Sequence, residues 1–141
     1  MKKIFISSDH AGFKLKETIK IYLTNKKLNF QDLGPKKNNK VDYPDFAHKV
    51  AKKVKINKSH VGILICGSGT GMNIAANKHK NIRAAQCFNL KSTKLSRLHN
   101  DANVITLGSR LINKNIAFKC VEAFVNTNFE GGRHIKRIKK I

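Results

Sequence analysis

Only two prolines and no low-complexity tract interrupt the 141 residues, which argues for a folded chain. No apolar segment approaches the roughly 20 residues that a membrane-spanning helix needs. The opening stretch MKKIFISSDH is basic and briefly apolar, but Asp9 cuts the run short, so no signal peptide is expected. Cys66, Cys87 and Cys120 are odd in number, far apart and without a CxxC pair. That pattern fits reduced thiols in a cytoplasmic protein better than a disulfide framework or a zinc site. Acidic side chains are scarce, 8 against 29 Lys and Arg, which leaves a formal net charge of +21. Taken alone, such a charge suggests a polyanion partner. The lysines nevertheless spread over nearly every expected helix and turn, Lys14, Lys16, Lys20, Lys52, Lys78 and Lys139 among them, instead of forming a block with interleaved aromatics. The reading is a solvated basic surface with no specific nucleic-acid site. Arginine is limited to Arg83, Arg97, Arg110, Arg133 and Arg137, and a guanidinium offers phosphate a planar fork that lysine lacks.

The most informative stretch is VGILICGSGTGMN, Val61 to Asn73. An apolar run of strand length stops at Cys66 and breaks into alternating glycines before helix-forming residues resume. Cys66 is thereby placed at the carboxyl end of a strand, with the amides of Gly67, Ser68, Gly69, Thr70 and Gly71 as an anion cradle beside the thiol. A helix N-terminus favours the thiolate form of a cysteine, which points to Cys66 as a base or nucleophile. The GxGxG spacing has Met72 where a dinucleotide fingerprint wants glycine, and no Gly-Lys-Ser/Thr follows as a nucleoside-triphosphate loop would require.

Around this stretch strands and helices alternate. Lys3 to Ser8 reads as a strand, Asp9 to Gly12 as a turn, and Phe13 to about Lys27 as an amphipathic helix. Leu28 to Leu33 is a second strand, GPKKNNK a polar loop, and Tyr43 with Pro44 opens a helix on which His48 is expected to be a solvated surface residue. Met72 to His79, Leu90 to Leu98 and Ile116 to Val125 read as helices, and Ile82 to Cys87 and Val104 to Leu107 as strands. Cys87 and Cys120 point toward the core. The pattern predicts one α/β domain over residues 1–141, a five-stranded parallel sheet between two helical layers, with 128–141 as a basic tail. Ligands bind such open sheets beyond the carboxyl ends of the strands, so Asp9 and His10 are expected to share a crevice with Cys66 to Gly71. Taken singly, each candidate has a plainer explanation: the glycines form a tight turn, Asp9 with His10 caps a helix, and His99 with Asn100 makes a turn.

Five blocks in order decide between these readings. SDHAGFKLK, DYPDFA, ILICGSGTGMNIAANK, RLHNDANVITLGSR and EGGRHIKR together resemble the type B ribose-5-phosphate isomerase family over nearly the whole chain. The resemblance implies a Rossmann-like fold and interconversion of D-ribose 5-phosphate and D-ribulose 5-phosphate through an enediolate, with no cofactor and no metal, in the non-oxidative pentose phosphate pathway. Isomerases of allose or galactose 6-phosphate share much of the pattern and are the alternative; a basic polyanion-binding module on the same scaffold is a second.

Carried onto this chain, the resemblance makes Cys66 the base that moves a proton between carbons 1 and 2, and His99 the group that opens the furanose ring. It implies that Asp9 and His10 hold sugar hydroxyls and the ring oxygen, that Gly67 to Gly71 stabilise the enediolate oxygens with help from Asn100, and that Tyr43 lines the pocket. Arg110, Arg133 and Arg137 become ligand and phosphate contacts. Ser68 stands where the family often has threonine and Thr70 where valine is common; both bear on sugar preference. Cys66 ends the third strand, but His99 ends a helix returning to the start of the fifth, so the two fall at opposite ends of the sheet. If both act on one sugar, the protein is a homodimer with shared sites, with pairing into tetramers left open.

Overall fold

The structure, a computed structural model, describes residues 2–141. Five strands form one sheet in the order β2-β1-β3-β5-β4, with every pairing parallel. They are β1 (Lys3–Ser8), β2 (Phe30–Asp32), β3 (His60–Cys66), β4 (Ala84–Gln86) and β5 (Val104–Gly108). The helices are α1 (Phe13–Asn25), α2 (Tyr43–Val54), α3 (Thr70–Ala76), α4 (Leu90–Asn100), α5 (Lys114–Asn126) and α6 (Arg133–Ile138). The expected architecture is therefore present.

Alternation along β3 feeds two cores. Val61, Ile63 and Ile65 pack with Ile19 and Leu23 of α1 and with Val121 and Phe124 of α5. Leu64 and Cys66 face the other way, onto Val50 and Ala51 of α2 and Met72 of α3. A strand buried on both faces has no polar alternation, which is why the run reads as continuous apolar residues. The edge strands β2 and β4 are three residues long, shorter than their apolar patterns suggest, because each pairs with one neighbour over three positions.

Three expectations need correction. Residues 133–138 of the basic tail form α6, which carries His134 inward as a buried residue. Lys16 is fully buried, not solvated: its Nζ donates to Asp32 Oδ2 at 2.7 Å and to the Pro35 carbonyl at 2.9 Å. Although burial alone would raise the Asp32 carboxyl, hydrogen bonds from Lys16 and Lys20 hold it below its ordinary value. His48 is half-buried, and its Nδ1 lies 2.7 Å from Nε2 of His79, joining α2 to the turn after α3.

Candidate active site

Parallel register brings the first cluster together. Ser8 pairs with Ile65, so the next residues out, Asp9 and Cys66, emerge side by side at the carboxyl ends of β1 and β3. This is where the strand order reverses, β2 lying on one side of β1 and β3 on the other. The Asp9 N–H donates to the Ile65 carbonyl at 3.1 Å, and Asp9 Oδ1 accepts the Gly12 N–H at 2.9 Å, which fixes the carboxylate at the turn into α1. His10 is fixed as well. Its Nδ1 lies 3.3 Å from the Val41 backbone N–H, which can only donate, so the ring's proton belongs on Nε2.

Cys66 is 5% exposed, and its Sγ accepts the Gly69 N–H at 3.1 Å. Gly69 has φ +80°, a left-handed conformation that turns the chain from β3 into α3 and aims this amide back at the sulfur. Since α3 has only seven residues, individual amides supply the cradle's field more than a long helix dipole does. Arg110 closes over the loop. Its backbone N–H donates to the Gly67 carbonyl at 3.0 Å, and a Cβ on Gly67 would meet its guanidinium Nη1 at 2.7 Å. The Tyr43 ring lies against Gly71 in the same way.

Asp9, His10, Tyr43, Cys66, Gly67 and Arg110 thus line one cleft of about 300 Å³, together with Ser68 and Gly71. Gly69 and Thr70 do not line it. The Gly69 amide is directed at sulfur, while the Thr70 hydroxyl accepts a 3.0 Å hydrogen bond from Gln86 Nε2, which also donates to the Ser68 carbonyl at 2.7 Å. Cys87 and Cys120 are buried as expected, and burial pushes both thiols up, which keeps them protonated.

The remaining candidates sit elsewhere. His99, Asn100, His134 and Arg137 line a second cleft of about 270 Å³. α4 ends at Asn100 because Asp101 adopts φ +45° as its C-cap, held by Arg97 Nη1 on Oδ1 at 2.9 Å and Arg83 Nη2 on Oδ2 at 3.1 Å. The chain then enters β5 at Val104, opposite Gly62 near the start of β3. At about 3.3 Å per residue, Gly62 lies about 13 Å from Cys66 along the strand, and His99 lies beyond it. Arg133 is exposed and lines neither cleft.

Sequence reasoning missed Glu130 and His134. His134 Nε2 donates to Glu130 Oε2 at 3.1 Å, and His99 Nε2 lies 3.8 Å from the same oxygen. The signal was the four-residue spacing of Glu130 and His134 across Gly131 and Gly132, which have φ +72° and +54°. Among the described residues, these three side chains bring possible metal-ligand atoms within 4.8 Å of one another. However, the rings of His99 and His134 stack at 4.4 Å and 17°, so their lone pairs converge on one ion only if a ring turns.

Comparison with known proteins fits this geometry. A match to the family described as Ribose/Galactose Isomerase spans residues 4–141. The ribose-5-phosphate isomerase B of Escherichia coli is 43% identical over 141 residues, covering 100% of this chain and 95% of that protein. A crystal structure of ribose-5-phosphate isomerase B from Mycoplasma genitalium with bound ribulose-5-phosphate superposes with a TM-score of 0.95 at 48% identity, covering 98% of this chain and 92% of the other. The Thermotoga maritima ribose 5-phosphate isomerase gives 0.95 at 47%, covering 99% and 96%. With a full-length match, this level of identity and the same parallel sheet, the chain belongs to the Ribose/Galactose Isomerase family.

Proposed function

We propose that the protein interconverts D-ribose 5-phosphate and D-ribulose 5-phosphate in the cytoplasm, with Cys66 as the proton-transferring base. Cys66 takes the C2 proton of the open aldose, and the electrons pass through C1 to its carbonyl oxygen, giving an enediolate. A proton passes from the C2 hydroxyl to O1, and the thiol then returns a proton to C1 as the C2 oxygen becomes the carbonyl. The carrying observation is the Gly69 N–H aimed at Cys66 Sγ at the mouth of a cleft that also holds Asp9 and His10. A fixed backbone donor to sulfur favours the thiolate, the form that can take a proton. In this scheme His10 presents an Nε2–H donor, and Asp9 keeps one carboxylate oxygen for a sugar hydroxyl.

The reading extends to a two-fold dimer in which the cleft of Cys66 on one protomer is completed by His99, Asn100, Arg137 and Arg133 of the other. Each cleft is at or below the lower bound usual for a small-molecule site, about 300 Å³, and neither contains the whole constellation. Leu95 lies one turn before His99 on the same face of α4 and is 39% exposed, with Phe88 and Leu90 exposed nearby in the chain, which supplies apolar surface for a partner.

The test is turnover of ribose 5-phosphate beside allose 6-phosphate and galactose 6-phosphate, by the wild type and by Cys66→Ala. The expected result is highest kcat/KM for ribose 5-phosphate and loss of at least about a thousandfold in kcat for the variant, with its fold retained. Preference for a six-carbon sugar would reassign the substrate, and near-normal turnover by Cys66→Ala would remove the thiol from the mechanism.

A further inference from the structure

We infer that Glu130 is the positioning residue for His99, holding its imidazole by the Nε2 edge so that Nδ1 carries the lone pair that opens the sugar ring. The inference rests on the proposed ring-opening role of His99. Two backbone-directed links staple the segment after α5 to the end of α4: Arg97 Nε donates to the Thr127 carbonyl at 3.1 Å, and the Glu130 N–H donates to the Leu98 carbonyl at 3.1 Å. Glu130 is therefore fixed at its backbone, next to the last turn of α4. Gly131 and Gly132, both at positive φ, then reverse the chain so that α6 brings His134 back to the same carboxylate. The buried His134 ring stacks on His99 and anchors Glu130 Oε2 from the inner side.

A carboxylate can only accept, so an imidazole that engages it by Nε2 does so as N–H, and its other nitrogen is the free acceptor. The 3.8 Å separation of His99 Nε2 from Oε2 is longer than a hydrogen bond. Such contacts are often long in unliganded sites and tighten when substrate is bound. Ring opening then balances on one side chain. Nδ1 takes the proton of the anomeric O1–H, the C1=O1 bond forms, and the electron pair of the C1–O4 bond goes to O4. The imidazolium returns the proton to O4, leaving His99 as it began.

The experiment separates ring opening from proton transfer at carbon. Ribulose 5-phosphate has no furanose ring to open, so enzyme-catalysed deuterium exchange at its C1 in heavy water reports enolisation alone. Glu130→Gln is expected to lower turnover of ribose 5-phosphate at least about tenfold while lowering C1 exchange less than about twofold, with partial recovery in Glu130→Asp. His99→Ala is the reference for the same split. If His99→Ala shows the split and Glu130→Gln does not, Glu130 is not the positioning residue. If both variants lose the two rates in parallel, Glu130 supports the site's structure only and the inference fails. If His99→Ala itself shows no split, the ring-opening role of His99 fails, and this inference with it.

Discussion

Arg110 and Arg137 carry the same charge but stand at the two ends of the sheet. Arg110 lies over Gly67 with its backbone bonded to that residue, whereas Arg137 is exposed on α6 beside His99. In the proposed shared site, Arg137 of one protomer would complete a phosphate subsite for the other, with a contact that persists from bound substrate to transition state. Removing a uniform contact of this kind raises KM and leaves kcat nearly unchanged. For Arg137→Ala the expected rise is roughly ten- to hundredfold, from a charge-assisted hydrogen bond of about 1.5–3 kcal/mol. Steady-state kinetics on ribose 5-phosphate check this, and an unchanged KM would return the basic end of the chain to solvated charge. The role of Glu130 was not legible from composition, because a single exposed carboxylate in so basic a chain looks like ordinary surface. Only the staple between α4 and the loop after α5 brings it to His99.

Among the elements, β3 and the turn after it were readable because the period, the cysteine and the glycines agree. VGILIC is too short for a buried helix and ends in a glycine-rich turn, so its unbroken apolar run reads as a strand buried on both faces. The structure also explains why Gly12 opens α1 without a side-chain cap: a Cβ there would meet the Ile65 carbonyl at 2.4 Å, so the start of α1 packs directly on the end of β3. Other features were hidden. Lys16 belongs to a lysine-rich helix by sequence, and nothing local says that Asp32 and the Pro35 carbonyl wait for its ammonium. The His48–His79 contact likewise depends on how α2 packs beside α3. Burial, with the positive charges of His48, Lys55 and Lys52, holds the His79 imidazole below its ordinary value of 6.5. A folded value lower than the unfolded one gives stability that is complete above about pH 6.5 and is lost as pH falls below it. The thermal midpoint of the wild type should therefore fall from pH 7 to 5.5, and that of His79→Gln should fall less. Parallel slopes for the two proteins would show that this contact does not link α2 and α3 to pH.

For the whole molecule, the parallel topology sets the fold and puts the two clefts at opposite ends of the sheet. One sheet end gathers Cys66, Asp9 and His10 because β1 and β3 finish together, while α4 returns His99 to the other end. That separation was already visible in the order of elements, since a crossover helix in a parallel sheet always runs back toward the strands' starts. The cleft at His99 and the stacking of His99 on His134 were not, because they depend on α6, which reads in sequence only as a basic tail. The formal charge of +21 draws any sugar phosphate toward the surface without choosing a site.

The shared site is tested most directly by mixing two inactive proteins. Cys66→Ala and His99→Asn chains, co-refolded in equal amounts, form heterodimers with one doubly defective site and one intact site. Random pairing makes half the dimers heterodimers, so the mixture should recover about a quarter of wild-type activity. Activity no greater than the sum of the two parents, with heterodimers verified by mass, would contradict the shared site.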